Sequence, residues 1–184
     1  MCFSFEVSLA TGLFSWGAGF YLLNNRKLTK SQYHDVIFLL IFSSMQFVDA
    51  ILWYIKMEKN RINYIITSIF IPIILIAQAV YNVYFRNQIS HPLMDLAVII
   101  GSIYLFQRFN GYSSSMKCNR ISSPIWGSTE IKVWELVIFS TFIFYPKIFM
   151  IPVIPMVMFI TQGAFGSMWC AIANLVAIKY LLTY

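Results

Sequence analysis

The sequence predicts an all-α fold: a polytopic transmembrane helix bundle, most simply of seven spans, forming one domain over residues 1–184. Three observations carry that expectation. Hydrophobic residues make up 59% of the chain and charged residues only 11%, against about 25% charged in an ordinary soluble domain. Aromatic residues reach 18%, with seventeen Phe, eleven Tyr and five Trp. The apolar residues also fall into runs separated by short polar connections. A soluble chain of this size keeps too much area facing water to hide them. Composition therefore excludes a soluble globular enzyme, a disordered chain and a secreted disulfide scaffold.

The first run, residues 5–23, is followed by Asn24, Asn25, Arg26, Lys27 and Lys30, with Glu6 at its start. That charge order fits an uncleaved first helix with an outside N-terminus rather than a secretory signal. The second run, 36–55, has Ser31 as a candidate N-cap. The third, 62–85, contains Pro72. In a soluble helix interior proline costs about 3 kcal/mol, whereas in a bundle neighbours can satisfy the freed carbonyl, so a kink is expected. The fourth, 93–106, begins after Ser90, His91 and Pro92: a cap residue, then a proline in the first turn.

Residues 107–132 form the one long polar loop, with Gly111, three consecutive serines, Pro124 and Gly127. A short surface helix is expected in it near Ile125 and Trp126. Run five is 133–145, run six is 148–161 with Pro152 and Pro155, and run seven is 164–182. As helices, runs five and six would each be about 21 Å long, short of a bilayer core of about 30 Å. Either both recruit flanking residues and span, giving seven helices, or they form a re-entrant pair, giving five spans. The seven-helix reading is adopted. Basic residues divide almost evenly between the two sides, so the orientation rests on Arg26, Lys27 and Lys30.

Ionisable groups within a bilayer are expensive and mark function or a structural polar cluster. Asp49 is the leading case, in the middle third of the second run. Gln46 and Trp53, three residues before and four after, share its face, and Ser43 extends the stripe. The third helix offers Gln78 and Asn82, the seventh Trp169 and Asn174, and the first Ser15 and Trp16. These groups are expected to converge on a polar cavity lined by aromatics. The competing reading is an interhelical hydrogen-bond network that holds the bundle together. Asp49 must find donors, find water or take up a proton, so its carboxyl group is expected to contact at least one of Gln46, Trp53, Gln78, Asn82, Trp169 or Asn174. Glu6, Asp95 and Glu135 lie near helix ends, where a carboxylate suits the helix dipole.

Other chemistry is not indicated. The two His and three Cys lack metal-ligand spacing, and no nucleophile elbow, Walker loop, dinucleotide fingerprint or potassium-channel filter occurs. No metal or cofactor is therefore expected. Lys179, four residues from the end of the last helix, suits a snorkelling role rather than a retinal linkage. The net charge of +6 is spread over short connections, which points to the lipid bilayer and not to nucleic acid as partner. Gly12, Gly17 and Gly19 in the first helix, and Gly163, Gly166, Ala171 and Ala173 at the seventh, allow close backbone approach. They fit a contact between first and last helices or a homo-oligomer contact, without separating the two.

Three segments carry a resemblance: Met1-Cys2-Phe3-Ser4-Phe5-Glu6-Val7-Ser8-Leu9, Ser44-Met45-Gln46-Phe47-Val48-Asp49-Ala50-Ile51-Leu52-Trp53, and Gly166-Ser167-Met168-Trp169-Cys170-Ala171-Ile172-Ala173-Asn174. They resemble small multi-pass membrane proteins encoded by giant double-stranded DNA viruses. The resemblance implies a viral source and a virion or host endomembrane location. It carries no catalytic role, and it places Gln46, Asp49, Trp53, Trp169 and Asn174 in the recognisable segments. The functional expectation is a transporter or channel-like protein for an ion or small polar solute, built around Asp49. The alternative is a non-enzymatic structural or interaction protein of a viral or host membrane.

Overall fold

The computed structural model describes residues 4–118, 121–145 and 165–184. Their helices are α1 (Phe5–Asn25), α2 (Lys30–Tyr54), α3 (Arg61–Arg86), α4 (Pro92–Arg108), α5 (Val133–Phe144) and α6 (Phe165–Thr183). Between α4 and α5 two short strands, β1 (Ser114–Cys118) and β2 (Ile121–Ile125), pair antiparallel. The described fold is thus all-α apart from one hairpin. By length and composition, α2 and α3 are each long and apolar enough to cross a membrane. The run 148–161 lies outside the described residues.

Helix starts follow capping chemistry more closely than apolar content. The Ser4 hydroxyl accepts from the Val7 amide at 3.3 Å and opens α1. The cap of α2 is Thr29, not Ser31. Its hydroxyl accepts from the Gln32 amide, while the Gln32 side chain accepts from the Thr29 amide, and this reciprocal pair satisfies two donors that a helix start leaves orphaned. It draws the polar residues 30–35 into α2, six residues ahead of the apolar run. In α4 the cap is the His91 ring, whose Nδ1 accepts from the Leu93 amide at 3.2 Å, rather than Ser90.

Pro72 is accommodated by a change of winding. Residues Ile66–Phe70 form a π turn, and the Ile71 amide bonds back five residues to the Ile66 carbonyl. The ladder thus shifts register immediately before the proline, which has no N–H to contribute. A second π turn, Tyr81–Arg86, ends α3.

Helix α1 lies along α2. A Cβ on Gly19 would stand 2.6 Å from Leu40, and one on Gly12 would stand 3.2 Å from the Phe47 ring. Trp16 Nε1 reaches the Leu40 carbonyl at 3.1 Å. These two glycines therefore serve the contact with α2, and Gly17 meets nothing within 4 Å. The contact between α1 and α6 includes a bond between Ser15 and Asn174 at 3.0 Å; Gly163 and the packing at Gly166 and Ala171 lie outside the described residues.

Polar side chains share the interior with the apolar core, and large apolar side chains lie outside. Ser8, Ser15, Ser43, Gln46, Asp49, Thr67, Gln78, Asn82 and Ser140 are all fully buried, beside a core that includes Leu22, Leu39, Met45, Leu52, Ile71 and Ile143. On the outside, α4 has no fully buried residue, and Leu96, Ile99, Ile100 and Ile103 are 53–57% exposed.

Residues 107–132 are only partly loop. Helix α4 runs on to Arg108, and the hairpin occupies the position expected of a surface helix near Ile125 and Trp126. Ser115 faces Pro124 across the hairpin, and a proline without an N–H is tolerated on an edge strand. Gly127 leaves β2 at φ +83, a conformation glycine adopts without steric penalty.

Candidate functional site: a buried aspartate under a tryptophan

Asp49 is the twentieth of 25 residues in α2, about one and a half turns from Tyr54. The earlier start of α2 moves it out of the helix centre and towards the end that carries the hairpin. It is 0% exposed. Trp126 Nε1 donates to its Oδ1 at 2.8 Å, and its Oδ2 has no hydrogen-bond partner among the described residues. Trp126 is not among the partners expected from the sequence. Trp126 leaves the end of β2 and is itself only 3% exposed.

The hairpin is held over Asp49 by a polar joint to the first turns of α3. Asn63 donates to the Ser113 carbonyl at 2.9 Å and accepts from the Ser113 amide at 2.8 Å. The Thr67 and Ser113 hydroxyls are 2.8 Å apart, and the Gly111 amide donates to Ser68 Oγ at 3.1 Å. Thr67 and Ser68 belong to the π turn preceding Pro72, so the altered winding also presents the hydroxyls that receive the hairpin.

The remaining candidates separate into layers. Ser43, Gln46 and Asp49 form one buried stripe at intervals of three residues, and Ser43 Oγ is taken by the Leu39 carbonyl at 2.7 Å. Trp53, one turn beyond Asp49, is half-buried. Asn174 pairs with Ser15; Gly12 against Gln46 and Phe47, and Gly19 against Leu40, put Ser15 level with about Ser43 and Ser44, roughly one and a half turns from Asp49. Asn82 accepts from Arg86 at 3.3 Å, and Arg86 pairs with Asp35. Fourteen residues of α2, about 21 Å, separate Asp35 from Asp49. Gln78 lies one turn before Tyr81, which bonds His34 at 2.9 Å, and so stands about three turns from Asp49. Both polar atoms of its fully buried side chain lack a partner among the described residues. The Trp169 side chain lies outside the described residues. Gln78 and Asn82 therefore lie far along the bundle from Asp49. Antiparallel pairing of α2 with α3 puts residues of similar spacing at opposite ends.

The end opposite the hairpin holds its own network. The Asn82 amide donates to the carbonyls of Phe142 at 2.7 Å and Tyr145 at 3.1 Å, and Asn87 donates to Tyr145 at 3.0 Å. These bonds cap the C-terminal end of α5 from another helix. The Tyr184 hydroxyl donates to Asp35 at 2.8 Å. Burial, together with the Asp35 carboxylate, raises the Tyr184 hydroxyl above the ordinary phenol range.

A second feature adjoins the first. A cavity of about 470 Å³ lies between α3, α4 and α5, lined by Leu75, Ala79, Val98, Gly101, Phe139 and others, with Trp126 on its wall. Asp49 is not among its lining residues. Arg108 and Glu135 also line it, 2.7 Å apart, and the Tyr104 hydroxyl donates to Glu135. Glu135 additionally accepts from the Lys132 amide at 2.6 Å, which is the helix-start role expected of it. Asp95, in the first turn of α4, accepts from Tyr84 at 2.7 Å.

Sequence reasoning missed Trp126 and Arg86. The signal for Trp126 was present: one large indole in an otherwise polar loop has an apolar body to bury and an N–H to satisfy. No group of three or more His, Cys, Asp or Glu among the described residues is placed to hold a metal ion. No family model, curated protein or solved structure matches the chain.

Proposed function

We propose that the chain is a multi-pass membrane bundle of seven spans, with its N-terminus outside, that moves an ion or small polar solute past Asp49. The membrane part rests on two helices long and apolar enough to cross a bilayer, on serines, amides and a carboxylate buried within the apolar core, and on isoleucines and leucines outside. In water that arrangement would expose large apolar patches. In lipid it is the economical one, because buried polar groups find partners only within the bundle.

The transport part rests on Asp49. A fully buried carboxylate with one oxygen on an indole N–H and the other without a partner among the described residues is under-satisfied for a purely structural group. The Asp49–Gln46–Ser43 stripe extends polar atoms from that point into the bundle. The resemblance to giant-virus membrane proteins favours a virion or host endomembrane as location. A second reading, a structural or interaction protein, is favoured by a specific observation: Asp49 does not line the 470 Å³ cavity.

Reconstitution in liposomes separates the two. Asp49→Asn keeps the shape and an acceptor for Trp126 but removes the charge. Ion flux above empty liposomes that collapses in Asp49→Asn, at unchanged thermal stability in detergent, supports transport. Flux no greater than that of empty liposomes across monovalent and divalent ions and small polar solutes would overturn it.

A further inference from the structure

We infer that the hairpin strands β1 and β2, with the flanking residues 111–113 and 126–127, form a plug that closes access to Asp49 from the hairpin end, with Trp126 as the stopper. This rests on the reading of Asp49 as a transporting group, and it adds how that group is reached. Four observations carry it.

First, Trp126 is the hydrogen-bond partner of Asp49 among the described residues, and both are buried. Whatever reaches the carboxylate from this end must displace the indole. Second, the attachment to α3 consists of polar bonds from Ser113 and Gly111 to Asn63, Thr67 and Ser68. Water can replace such bonds one for one as the plug lifts.

Third, the two ends of the segment are glycines with positive φ, +155 at Gly111 and +83 at Gly127. The chain just outside them is clamped: the Asn110 side chain accepts from the Tyr64 hydroxyl at 2.9 Å, and Arg108 donates to the Thr129 and Glu130 carbonyls at 3.0 and 2.9 Å. Gly111 and Gly127 are residues suited to absorb backbone change, once their own bonds to Ser68 and Ser113 are released. Fourth, Trp126 lines the 470 Å³ apolar cavity between α3, α4 and α5. The indole can swing into existing apolar space and release Asp49 without parting the helices.

The test reads access to Asp49 directly, separately from flux. A water-soluble carbodiimide with glycine ethyl ester converts reachable carboxyl groups to amides, and peptide mass spectrometry reports the rate at Asp49. Asp49→Asn provides the blank. We expect slow amidation in the wild type and at least tenfold faster amidation in Trp126→Ala. Trp126→Phe, which keeps the ring and loses the N–H, should give an intermediate rate and guards against loss of fold in the larger truncation. A Thr67→Cys/Ser113→Cys pair, oxidised to a disulfide, should keep Asp49 slow and silence flux until reduced. Equal amidation in the wild type, Trp126→Phe and Trp126→Ala, with helicity retained, would overturn the plug. So would flux through the oxidised pair equal to that through the reduced pair. Absent flux with the expected amidation pattern would overturn the transport reading and leave the plug standing.

Discussion

Asn82 illustrates how a polar side chain that looks like a site on a helical wheel can be a fastening in the folded chain. Its amide closes two carbonyls at the end of α5, and its oxygen accepts from Arg86 and Asn87. Truncation to alanine removes the Asn82 donor from the Phe142 carbonyl, while Asn87 still serves Tyr145, a loss of about 1–3 kcal/mol. Asn82→Ala should therefore lower the unfolding temperature in detergent while leaving flux per folded molecule unchanged. A variant of native stability with reduced flux would return Asn82 to the transport path. Asp49 should behave in the opposite way, because removing its charge leaves its acceptor for Trp126 in place.

Helix α2 owes its first turn and a half to the capping box of Thr29 and Gln32 rather than to apolar content. Thr29→Ala should destabilise the protein by about 1 kcal/mol, read as faster amide exchange in residues 30–35, with Asp49 and its surroundings unaffected. If exchange there matched the wild type, packing of Val36 and Leu39 would be sufficient to hold the turn. The same extension brings Asp35 into helical register, where it meets Arg86 and Tyr184. In α3 the π turn before Pro72 does two things at once: it absorbs a residue with no N–H, and it sets Thr67 and Ser68 against the hairpin.

At the scale of the molecule, seven spans with an outside N-terminus make a definite forecast for the connections. Single cysteines replacing Lys27 and Gln88 should be labelled by a membrane-impermeant maleimide only from the inside. Cysteines replacing Lys56 and Glu130 should be labelled only from the outside. Labelling of Lys27→Cys and Lys56→Cys from the same side would remove α2 as a span. With all seven spans in place the hairpin would lie outside, and Asp49 would be guarded from that side.

The helical class, the apolar segments and the burial of Asp49 are legible in the sequence, because each depends on local composition and spacing. Periodicity also placed Ser43, Gln46 and Asp49 on one face correctly, since three-residue intervals need only the helix itself. Which faces meet is another matter. Gln78 and Asn82 sit about three turns or more from Asp49 because α3 returns antiparallel to α2, and no local signal states that register. The donor to Asp49 is 77 residues away, on a hairpin that the loop's glycines and serines disguised. The sequence by itself determined that a carboxylate must be buried. The tertiary structure alone decided that an indole from an extended segment would cover it, because the partner of a buried charge is chosen by long-range packing rather than by neighbours in the chain.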